Sequence, residues 1–149
     1  MAEAIAQHWL DRGILPQDTR YLAVSAGISA GSGAPVSPET VAVLESIGIA
    51  HQGRSKPLTA EMIRQAEVVL CMSRGQADAA RSLVADEPQH AAKIHLLDPE
   101  GDVDDPIGLG QKAYDALAQR FMESIPQRLQ EVLGHEDRTG IGSPRREGC

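Results

Sequence analysis

Aromatic residues are nearly absent: Trp9, Tyr21, Tyr114 and Phe121 are all there are in 149 residues. The interior must therefore be built from Val, Ile, Leu and Ala, and there are too few rings for a surface that stacks nucleic-acid bases. Positive charge is also scarce. The 14 Lys and Arg stand against 21 Asp and Glu, and the net charge of -7 repels phosphate backbones and anionic headgroups. Neither a nucleic acid nor a membrane is an expected partner. No apolar run approaches the roughly 20 residues that cross a bilayer. The first segment carries Glu3, His8 and Asp11 where a signal peptide would be unbroken and apolar. Cysteine is limited to Cys71, inside an apolar run, and Cys149, the last residue. Unpaired thiols fit a reducing compartment, so a cytosolic protein is expected, with Cys71 a small buried hydrophobe.

What is present is an alternation of short apolar runs and helical periods. Met1, Ile5, His8, Trp9 and Arg12 share one helix face that ends at Gly13. Tyr21-Leu22-Ala23-Val24-Ser25 reads as a buried strand, followed by a flexible loop over residues 29–35. Ser37-Pro38-Glu39 combines a Ser cap, a proline at the first helical position and a carboxylate in the first turn. Thr59 and Glu61 mark a further helix start. Val68-Val69-Leu70-Cys71-Met72 is apolar on both faces, as a central parallel strand must be, and Ser73 with Gln76 forms a capping-box pattern for the helix after it. Lys93-Ile94-His95-Leu96-Leu97 is the third expected strand. An acidic stretch, 98–105, leads to a last helix spaced by Tyr114, Leu117, Phe121, Ile125, Leu129 and Val132. Pro126 should kink or split that helix unless packing absorbs a cost of about 3 kcal/mol. The order predicts an α/β domain over 1–133, a doubly wound parallel sheet with helices on both faces, and a disordered tail over 134–149.

Most local motifs fail on detail. The stretch 98–105 has carboxylates at alternate positions, but Val103 stands where an EF-hand turn needs Gly and Leu109 where it needs a bidentate Glu. A solvated loop is the better reading. The run 27–33 is glycine-rich without the Lys-Ser/Thr of a phosphate-binding loop. His8, His51, His90, His95 and His135 lack metal-ligand spacing, so no metal is expected. Val24-Ser25-Ala26 lacks the glycines of a nucleophile elbow. Asp105-Pro106 stands out, because a loop after the last strand of a parallel sheet lines the ligand crevice. A carboxyl held there by a rigid proline can serve as a general acid, although Asp-Pro is more often only a turn.

Taken in order, Met1-Ala-Glu-Ala, Ser25-Ala-Gly27, Leu70-Cys-Met72 and Asp105-Pro106 resemble the low-molecular-weight protein tyrosine phosphatase family over residues 1 to about 133. That resemblance implies a first, central strand running into a Cys-x5-Arg-Ser-Pro phosphate loop just before the helix that begins Met-Ala-Glu-Ala. It also implies a mechanism without cofactor. A loop thiolate attacks the phosphoryl group of a phosphorylated protein or small phosphoester, and water hydrolyses the phosphocysteine.

By the same resemblance Asp105 is the general acid, Ser25 and His51 support the phosphate loop, and Ile107 lies at the rim of the substrate pocket. Neither cysteine of this chain is followed by an Arg at the required spacing, so the chain as written is expected to be inactive, with Ser25 deprived of its partner. A start placed too late, at an internal methionine, is the expected cause. The alternative is a catalytically dead relative that binds or regulates a partner. Ile107 departs from the aromatic residue usual after Asp-Pro, which leaves phosphotyrosine and phosphoarginine both open, and Asp78 stands where an arsenate reductase would need a cysteine.

Overall fold

A computed structural model describes residues 1–15, 21–28, 37–49 and 56–134. Along the chain run α1 (Ala2–Asp11), α2 (Pro38–Ser46), α3 (Ala60–Gln65), β1 (Val69–Cys71), α4 (Arg74–Leu83), α5 (Pro88–Ala91), β2 (Ile94–Leu96) and α6 (Gln111–Leu133). The expected loop at 29–35 and most of the expected tail lie outside the described residues.

The helix starts are fixed by local chemistry. Ser37 Oγ accepts from Thr40 N–H at 3.2 Å, Thr59 Oγ1 from Met62 N–H at 3.2 Å, and Ser73 Oγ from Gln76 N–H at 3.2 Å. Each satisfies one of the donors that a helix N-terminus leaves open. Gln76 completes the box one residue early, its Oε1 accepting from Met72 N–H at 3.1 Å. Ser37→Ala is expected to cost about 1 kcal/mol, the usual worth of such a cap; an unmoved urea midpoint would show that α2 is held by packing alone.

β1 and β2 pair in parallel, Val69 against Ile94, Leu70 against His95 and Cys71 against Leu96. The crossover between them holds α4 and α5. Side chains alternate across this pair as strand geometry requires. Leu70, Met72 and Leu97 face a core of α1, α2 and α6 built around Ile5, Leu44, Phe121 and Ile125. Val69, Cys71, Ile94 and Leu96 face a smaller core with Ile63 of α3 and Ala77, Ala80 and Val84 after β1. Helices thus cover both faces of a parallel sheet, the expected doubly wound arrangement, though with few strands.

One expectation is overturned, one condition is met and one element is added. Residues 21–25 do not form a buried strand: among the described residues the pairing nearest to them is a single parallel bridge between Gly27 and Pro57, and Leu22 and Val24 are 80% and 51% exposed. A strand is held by its ladder and by cross-strand side chains, and among the described residues this segment has one bridge beside it and no buried face. Pro126 does not split the last helix, which runs unbroken for 23 residues, because Phe121, Ile125 and Leu129 on either side of it are buried in the larger core. The short α5 was not foreseen, although Pro88 at its first position is a recognised start signal.

Candidate active site

The Asp105 turn is built by three local devices. Asp105 Oδ1 accepts from Ile107 N–H at 3.0 Å, the short-range bond by which Asp favours turns. Leu109 N–H donates to Pro106 O at 2.9 Å. Gly108, with φ +78°, takes the third position of that turn, a conformation a side chain would strain. Asp105 is exposed, and so is Ile107, at 71%. The structure therefore places these two candidate residues in one turn, with the carboxyl and the apolar side chain both open to solvent.

The approach to this turn is anchored from behind. Val103 N–H donates to Met72 O at 2.7 Å, tying the acidic loop to the carboxyl end of β1. Asp102 Oδ1 accepts from Arg74 N–H at 2.8 Å, a carboxylate on the positive end of α4. Asp98 is bound twice, to Glu100 N–H at 2.9 Å and to Arg120 at 2.8 Å. The stretch is thus only partly the solvated loop expected, since Asp98 and Asp102 are fixing points whose partners no spacing rule announces. Beyond the turn, Gln111 Nε2 donates to Glu39 O at 3.0 Å and secures the start of α6 to α2.

Ser25 is not without a partner. Its Oγ donates to the carboxylate of Glu3 on α1, and two residues earlier Ala23 N–H donates to Gln7 Oε1 at 2.7 Å. Two side chains of α1, one turn apart, thereby hold the extended segment. Sequence reading missed Glu3 and Gln7, because a contact between helix and segment about 20 residues apart leaves no periodic signal. Among the described residues no hydrogen bond joins Ser25 to the Asp105 turn. His51 lies outside the described residues.

A cleft of about 330 Å3 opens beside Glu3, His8, Arg12, Leu22 and Ile49. None of residues 105–107 lines it, so it is not where a substrate would meet Asp105.

Cys71 is 7% exposed within the smaller core. Burial pushes its thiol upward from the ordinary range, against a weaker downward pull from Arg81, so at neutral pH it is protonated and poorly nucleophilic. In a Cys149→Ser variant, the one remaining thiol is expected to resist alkylation at pH 8 in native protein and to react once urea unfolds it. Rapid native labelling would contradict this placement.

The scaffold is α/β, with a parallel pair and an Asp-Pro turn tied through Val103 to the carboxyl end of β1, and comparison with known proteins gives the family. A family model described as low molecular weight phosphotyrosine protein phosphatase matches residues 1–138. The probable low molecular weight protein-tyrosine-phosphatase EpsP of Ralstonia solanacearum is 33% identical over 115 residues, 73% of this chain and 77% of that protein. Among solved structures, the low molecular weight protein tyrosine phosphatase of T. tengcongensis is 33% identical with a TM-score of 0.74, covering 89% of this chain and 88% of its own. A variant of the YwlE arginine phosphatase with a phosphorylated active-site serine is 26% identical with a TM-score of 0.78, covering 92% and 88%. The chain belongs to the low molecular weight phosphotyrosine protein phosphatase family. Among the described residues no helix is long and apolar enough to cross a membrane.

Proposed function

We propose that this chain is the body of a phosphoprotein phosphatase in which Asp105 is the general acid, protonating the leaving oxygen and then activating water. Its substrates are phosphorylated proteins or small phosphoesters in a cytosolic setting, and no cofactor takes part. The observation that carries this reading is the Asp105 turn. It presents an exposed carboxyl beyond the end of β1, the place where open parallel sheets receive ligands, in a chain whose family is that of phosphatases. Ile107, beside it, forms an aliphatic rim where an aromatic one would favour a phosphorylated ring, and the relatives include both tyrosine and arginine phosphatases. Ser25 and His51 are supports for the phosphate loop in this reading, with Ser25 held in waiting by Glu3.

The 149 residues contain no Cys-x5-Arg, and Cys71 is too buried and too weakly acidic to replace a loop thiolate. These residues alone are expected to give no turnover of an aryl phosphate at mildly acidic pH above the buffer rate. Turnover inhibited by vanadate would overturn that expectation. Reading the coding DNA in frame upstream of the Met1 codon tests the larger claim. A short apolar strand followed by Cys-x5-Arg supports a phosphatase, whereas a stop codon with no such loop replaces it with a family member that binds without hydrolysing.

A further inference from the structure

We draw no further inference here: the strongest candidate, the uncharged segment 21–28 held against α1 by Ser25 and Ala23, leaves Leu22, Val24 and Ile28 exposed, but nothing in the structure shows what covers it.

Discussion

Phe121→Ala is expected to destabilise the protein by about 3–5 kcal/mol, the range for removing a large side chain from a packed core. Phe121 is 3% exposed and stands in α6 where α1, α2 and the sheet converge. The buried residues clustered with it are Ala, Val, Ile and Leu, whose own close packing lets them fill the space left behind only in part. The loss has two parts, the apolar surface no longer buried and the cavity that remains. A domain of this size has a total stability of only about 5–15 kcal/mol, so the variant should be partly unfolded at moderate temperature. Urea unfolding should show a lower midpoint with an unchanged slope. A loss under about 1 kcal/mol would mean that the core around α6 is looser than described. Phe121→Leu, which keeps most of the volume, should lose markedly less.

Pro126→Ala is expected to change stability in the opposite direction, by about 2 kcal/mol in favour of the folded state. Proline inside a helix forgoes one backbone hydrogen bond and presses on the preceding turn, at a cost of about 3 kcal/mol relative to alanine. The sign depends on what the unfolded chain gains, because alanine frees it by about 0.4–1 kcal/mol that proline had withheld. The first quantity is larger, and the helix already continues through this position without splitting, so no new fold is needed to recover the bond. A destabilised Pro126→Ala would show that the ring itself packs in a way that alanine cannot reproduce.

The two variants separate what the chain says locally from what it says only through its partners. Ser37, Thr59 and Ser73 announced their helices because a cap acts on a donor three residues away. β1 and β2 were legible as apolar runs, since burial on both faces removes the need for alternation. Pro126 was read from its neighbours in sequence, yet its outcome was decided by Ile125 and Leu129 packing against other elements. Segment 21–25 failed for the same kind of reason, because its composition suits a strand but pairing requires a second chain segment beside it. At the candidate site, the Asp105 turn could be foreseen from Asp105, Pro106 and Gly108 within four residues. The bonds from Asp102 to Arg74, from Val103 to Met72 and from Ser25 to Glu3 could not, because each joins residues more than 20 positions apart with no shared period.

The anchoring of Val103 to the end of β1 and of Gln111 to α2 leaves Asp105 on a short span with both ends clamped. Between those fixings the chain has few torsions left to search, and Pro106 removes one more. In the proposed reaction, bringing the carboxyl to a substrate requires little ordering at the moment of encounter, since most of that entropy was surrendered when the domain folded. The span behaves as a taut tether, and lengthening it by inserted glycines would loosen the aim of the proposed acid while leaving the Asp105 carboxyl itself in place.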